Sequence, residues 1–367
     1  MQIIICPNVN SSILYLYKDN QILNTLSIDN YDIANTQSLT NKILLLLADT
    51  HINQIKQVGL YLLFSADCFD SIEPISKKSI EKFITLLPHF PEYVLGVRNI
   101  LSAINEICSL ENIPCHIFTN NGFFKGLPDY EKRYAIPAEI NKSLKISNIK
   151  RWGHHGLLHQ YNADISNGKN IISIVLDKQT TISAIRKGKP LTISSGFTPL
   201  EGIIGEKNCG DVDPGILFQI LRKEKISLYK LNDILKKESG FAGITGFQAS
   251  IPELIKHMGV NKKVDLALDI YYQHLLKYLG DSISVLGKFD CIVFSGKYQE
   301  ALQFLKLKLI KQLSFCDIKL KALPWEEKNN GIVKITEDNS SVNIYSHSES
   351  ISTVISHQLN KDDFFPI

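Results

Sequence analysis

The sequence predicts an α/β fold built twice, as two domains of like architecture with a cleft between them. Three observations carry this expectation. Short β-branched runs alternate with helical periodicity along the chain. At 367 residues the chain is long enough for two cores. Its beginning also recurs: Ile3, Ile5, Ser11, Ser12, Ile13, Leu16 and Lys18 match Ile172, Ile174, Thr180, Thr181, Ile182, Ile185 and Lys187 at a spacing of about 169 positions.

In chain order, Gln2–Cys6, Ile13–Tyr17 and Ile22–Leu26 read as three strands, apolar or alternating and separated by polar turns. Leu39–Leu47 has helical character, and Val58–Phe64 is a strand. Ser79–Leu87 and Tyr93–Ile107 are helices. The pattern then restarts, with strands at Ile171–Leu176, Ile182–Arg186 and Leu191–Ser194. Helices follow at Pro214–Arg222, Leu228–Glu238 and Val264–Leu279. Cys291–Phe294 is a buried strand leading into a helix at Tyr298–Ile310. Lys328–Gly331 and Asp338–Ser341 are turns, too short for linkers.

Composition narrows the function classes. A net charge of +3 with 21% charged residues gives no polyelectrolyte signal, so neither nucleic acid nor an anionic membrane is expected as a partner. The apolar run Ile3–Cys6 is too short for a secretory segment or a membrane span. The 7 cysteines form no C-x-x-C pair, which fits reduced thiols in a cytoplasmic protein.

The stretch from Gly196 to Gly215 holds two helix-start patterns. Thr198, Pro199 and Glu201 form a capping box, and Asp213 precedes Pro214 before an apolar run. Glycines before a helix N-terminus make an anion site, although two well-capped helices would read the same way.

This stretch, Gly-Phe-Thr-Pro-Leu-Glu-Gly followed by Cys-Gly-Asp-Val-Asp-Pro, resembles the signature of the acetate kinase (acetokinase) family. Trp152-Gly-His-His-Gly-Leu-Leu-His159 resembles that family's Y-G-F-H-G-T-S-H. Ser239–Gly246, Asp290–Gly296 and Tyr134–Pro137 match further motifs in the expected order. The resemblance covers nearly the whole chain. It implies the duplicated ribonuclease-H-like fold of the sugar kinase, heat-shock chaperone and actin superfamily. The first domain is expected over 1–149 plus 349–367 and the second over 150–348. The resemblance also implies MgATP or ADP as cofactor, a small carboxylate or acyl phosphate as partner, and a homodimer.

Carried over residue by residue, the motifs leave scaffold positions filled and charged positions changed. In the first phosphate loop Ser11 and Ser12 remain, but Pro7 and Val9 replace an asparagine and a glycine. The two serines read equally as turn residues or phosphate contacts. Tyr61 stands where the family has a substrate-contacting arginine, and a neutral phenol cannot replace a bidentate cation. Asn120 occupies a catalytic aspartate position, and Asn208 that of a second arginine, with Lys207 beside it. His155 matches the phosphate-contacting histidine. The second phosphate turn, Asp177–Thr181, has lost both glycines, and Lys178 is the cation left there. Gly296 and Glu300 remain from a nucleotide loop, and Glu349 is the best match for a Mg²⁺-associated glutamate.

The loss of two arginines and an aspartate together predicts little or no ordinary acetate kinase activity, with the fold kept for binding or assembly. An active acyl or carboxylate kinase with a rewired site, drawing on Lys178, His155 and Lys207, is the alternative. Any anion site is expected among Ser11, Ser12, His155 and Lys178, with roughly millimolar affinity, about −4 kcal/mol.

Overall fold

The computed structural model describes residues 1–7, 11–29, 41, 54–86, 97–110, 112–143, 149–321 and 331–360. The chain divides into two compact units. Unit 1 holds Met1–Lys125, Ala135–Ile149 and a return that begins at Ser350; unit 2 holds Gly126–Tyr134 and Lys150–Glu349.

Unit 1 is built on β1 (Gln2–Pro7), β2 (Ser11–Lys18), β3 (Gln21–Asp29), β4 (Gln57–Leu62), β5 (Ile72–Pro74) and β6 (Cys115–Thr119). They form one mixed sheet in the order β3-β2-β1-β4-β6-β5. β1 is central because its Ile3-Ile4-Ile5 run can be buried on both faces, as parallel-paired strands require. Helices α1 (Lys77–Leu86) and α2 (Val97–Leu110) cover it, with Phe83, Ile100, Leu101 and Ile104 packed in the core of Ile3, Ile5, Leu14 and Leu60.

Unit 2 repeats this plan. Its strands are β7 (Asn170–Val175), β8 (Thr181–Arg186), β9 (Lys189–Pro190), β10 (Cys291–Ser295), β11 (Val333–Lys334) and β12 (Asn343–Ser346), in the order β11-β12-β10-β7-β8-β9. Each strand stands in the place of its counterpart in unit 1, with the same parallel and antiparallel partners around β1 and β7. Helix α3 (Gly156–Ile165) lies on β7 and β10. Next come α4 (Pro214–Glu224) and α5 (Gly240–Thr245), then the long α6 (Lys262–Leu286), which packs Leu268, Tyr271 and Leu275 into the core of Ile172, Ile174 and Phe294. Helix α7 (Glu300–Gln312) adds Leu302 and Leu305 to that core.

Helix α8 (Ile351–Leu359) returns to unit 1 and packs on β1 and β4. Gly59 admits it, since a Cβ there would stand 2.6 Å from Ile355 Cγ2. Polar contacts hold it: Tyr17 Oη bonds Ser352 Oγ at 2.9 Å, and Gln2 Nε2 donates to Asn360 Oδ1 at 2.7 Å.

Several expectations change. No helix follows Thr198, because 197–203 is a run of turns. Glu201 turns away from the cap to Arg151 Nη1 at 2.7 Å and to the Tyr134 hydroxyl. Thr198 only accepts from Leu200 N. The helix start at Asp213 holds: its carboxylate accepts from Gly215 N at 2.7 Å, with Pro214 at the first helical position. Leu191–Ser194 is not a strand, because its ladder is only half made: Leu191 N and Ser194 N donate to Ala184 O and Ile182 O, but the return bonds go to side chains. Ser194 Oγ accepts from Ile182 N at 2.9 Å, and Thr192 Oγ1 from Ala184 N at 3.3 Å. The strand at Val58 ends at Leu62, before Phe64. The repeat also slips by one residue between its two strands. Pro7 pairs with Ser12 but Val175 with Thr181, so Thr180 rather than Thr181 shares the face that Ser12 takes. The helix expected over Leu39–Leu47 lies outside the described residues, Asn41 excepted, as do residues 93–96, Val9 and 328–330.

Candidate active site

The family-matched residues fall in both units. In unit 1, Ser12 sits at the start of β2, 1% exposed, and its hydroxyl has no hydrogen-bond partner among the described residues. An orphaned buried hydroxyl is costly unless something meets it. Of Ser11 the backbone is described, paired with Asp29. Tyr61 is buried in β4 opposite Phe118 of β6. Asn120 follows β6, buried, with its amide donating to Leu62 O at 2.9 Å. Its neighbour Asn121, which the sequence did not single out, ties down the loop after β4. Its Oδ1 accepts from Ser65 N and Ser65 Oγ, and its Nδ2 donates to Ala66 O at 3.0 Å.

In unit 2, His155 caps α3 from the left-handed region, φ 59°. A non-glycine residue there is strained and held by its surroundings. Its Nδ1 lies 2.9 Å from Thr181 Oγ1, and the same hydroxyl lies 2.9 Å from His159 Nε2. His159 Nδ1 meets Ser173 Oγ at 2.7 Å. Asn162 Nδ2 donates to Ser173 Oγ at 2.8 Å and Ser295 Oγ at 2.9 Å, and its Oδ1 meets His347 Nε2 at 2.7 Å. These groups are all buried. Burial, then the neighbouring His159 and Lys297, lowers His155 to about 3. Burial, with His154, lowers His159 to about 3. Both imidazoles are therefore neutral at physiological pH.

Lys178 is exposed in its turn, where its amide donates to Asp177 Oδ1 at 2.8 Å. The cation whose charge reaches His155 is Lys297, which the sequence reading passed over beside Gly296. Thr180 points to the other face and bonds Tyr271 Oη at 2.7 Å. Asn208, expected at an arginine position, turns inward: its Nδ2 donates to Pro199 O at 3.3 Å, and its Oδ1 lies 2.1 Å from where a Gly205 Cβ would stand. Gly296 is required by its φ of 98° and by Leu176 O, 2.3 Å from a Cβ placed there. Glu300 is exposed in the first turn of α7. Glu349 is half-buried, and its amide donates to His347 Nδ1 at 3.3 Å.

Among the described residues no three His, Cys, Asp or Glu side chains converge to hold a metal. A Mg²⁺ carried by nucleotide phosphates needs only one or two carboxylates, so a single glutamate is compatible with that role. Among the same residues no helix is long and apolar enough to cross a membrane.

Comparison with known proteins gives one consistent result. The family model described as "Acetokinase family" matches residues 7–356. The acetate kinase of Clostridium novyi (strain NT) is 30% identical over 262 residues, 69% of this chain and 62% of the relative, so the match spans under two thirds of that protein. The crystal structure of Porphyromonas gingivalis acetate kinase superposes with a TM-score of 0.86 at 21% identity, covering 98% of each chain. A propionate kinase from Francisella tularensis superposes with a TM-score of 0.80 at 20% identity, covering 97% of this chain and 98% of that one.

Proposed function

The chain belongs to the acetokinase family, and from that premise we propose that it is a carboxylate kinase with a rewired site. A carboxylate oxygen of a short acid attacks the γ-phosphorus of ATP, the bond to the β-bridging oxygen breaks, and ADP and an acyl phosphate leave. MgATP supplies the phosphoryl group and the metal that bridges its phosphates. The protein's task is to place donors and cations around a group that needs little covalent help.

The observation that carries this reading is the buried polar network ending on His155. Such groups are expensive to bury, and an apolar core would serve stability as well. In unit 2, His155 is the candidate phosphate donor and Lys297 the candidate cation near it. Gly296 fits a loop that must come close to other backbone. The Asp177–Thr181 turn fits less well. Gln179 is buried there with its Nε2 on Pro199 O, in a place where a phosphate cradle would bare its amides.

A second reading is that catalysis has been lost. It is favoured by Asn208 and Tyr61, two family cation positions that here serve the scaffold. One assay separates the two: trapping of acyl phosphate from acetate, propionate and butyrate with MgATP, beside a titration of nucleotide binding. Product above the no-enzyme control supports the kinase. Nucleotide binding without product on any acid supports the second reading. A homodimer belongs to either reading, and exposed Ile216, Phe218, Leu228 and Tyr229 are apolar surface that it would cover. Sedimentation tests that.

A further inference from the structure

The direction of every hydrogen bond in the network of unit 2 can be worked out from one end. The Glu349 amide can only donate, so His347 Nδ1, at 3.3 Å, is an acceptor. The His347 proton is then on Nε2 and goes to Asn162 Oδ1 at 2.7 Å. This also settles the Asn162 amide, whose two N–H bonds go to Ser173 Oγ and Ser295 Oγ. Ser173 Oγ has two side-chain partners, Asn162 and His159. The first donates to it, so its own hydrogen goes to His159 Nδ1 at 2.7 Å. A singly protonated His159 then donates from Nε2 to Thr181 Oγ1 at 2.9 Å. Thr181 passes its one hydrogen to His155 Nδ1, also at 2.9 Å. The proton of His155 is left on Nε2.

We propose that this one-way chain of donors, from the Glu349 amide through His347, Asn162, Ser173, His159 and Thr181, holds the His155 proton on Nε2 and makes those five side chains positioning residues for it. The reversed chain is ruled out by Ser173, whose hydrogen would then have no acceptor among the described residues. Singly protonated rings are what burial enforces: His159 is 0% and His155 8% exposed. Among the described residues nothing bonds His155 Nε2. It is thus a neutral N–H donor of fixed tautomer, suited to an anionic oxygen such as that of a phosphoryl group. That use rests on the kinase reading; the tautomer does not.

The test is long-range ¹H–¹⁵N correlation spectroscopy of the histidine rings, which reports which nitrogen carries the proton. In the wild type His155, His159 and His347 should all be protonated on Nε2 alone. A His155 or His159 protonated on Nδ1, or doubly protonated, at neutral pH overturns the proposal. Asn162→Asp replaces the two donors by acceptors. The Ser173 hydrogen should then turn to the carboxylate, and the proton of His155 should move to Nδ1. Ser173→Thr keeps the hydroxyl and should keep the wild-type tautomers. An unchanged His155 signal in folded Asn162→Asp overturns the chain. If that variant does not fold, Ser173→Ala takes its place: His155 should lose its single-tautomer signal, and retention overturns the chain. Failure of the kinase reading would appear separately, as absent acyl phosphate with these spectra unaffected.

Discussion

His155 and Thr181 meet at 2.9 Å between Nδ1 and Oγ1, although the first caps a helix and the second opens a strand 26 residues later. The hydroxyl between two buried imidazoles makes the histidine pair one unit, and protonating either ring disturbs both.

Stability should fall steeply in mild acid. His155 and His159 are lowered to about 3 in the folded chain against an ordinary 6.5. Between these values the unfolded chain binds more protons, so stability rises with pH through the window. The contribution is complete above about 6.5 and is lost as pH falls toward 3, at up to about 1.4 kcal/mol per pH unit for each ring. Urea unfolding at pH 7.5, 6 and 5 measures it. His159→Gln should flatten the slope, and an equal slope in that variant would assign the acid loss to other groups.

Gly296→Ala should destabilise unit 2 by about 3 kcal/mol. The new methyl meets Leu176 O at 2.3 Å in a backbone conformation, φ 98°, that L-residues rarely adopt. The measurement is the shift in denaturant midpoint. Gly168→Ala, with nothing within 4 Å of its Cβ position at φ 76°, isolates the backbone part.

Arg151→Met should cost about 2 kcal/mol, less than a fully buried pair because both partners keep some solvent. Arg151 Nη1 sits 2.7 Å from Glu201 Oε1, and its Nε sits 3.4 Å from Glu131 Oε1. Removing the cation leaves two carboxylates facing apolar surface. Adding Glu201→Gln should recover part of the loss, and a double-mutant cycle reads the coupling.

The strands at the centres of both sheets were legible because their apolar runs have one reading. Ile3–Ile5 and Cys291–Phe294 can be satisfied only by burial on both faces. The capping box at Thr198 misled because a local cap competes with long-range partners. Arg151 and Tyr134 take Glu201, and no local pattern announces either. The motif resemblance singled out Tyr61, Asn120 and Asn208, but not the contacts that each makes. The Asn208 amide donates to Pro199 O, a bracing of the loop that no local pattern announces. Ser173, Asn162 and His347 gave no signal, because a polar network drawn from 185 residues of separation has no periodicity to read.

Helix α3 follows the strands of unit 1 in the chain yet lies on the sheet of unit 2, while α8 follows those of unit 2 and lies on the sheet of unit 1. The two halves of the polypeptide have traded their closing helices. During synthesis the first sheet therefore emerges with the β1 and β4 surface uncovered, and it stays so until residues 351–359 leave the ribosome. Independent closure of the first sheet must wait for that helix, and until then the nascent chain carries an open apolar face. Such a protein should lean on chaperones while it is made, and truncation just before Ser350 should yield an aggregating product rather than a shortened soluble one.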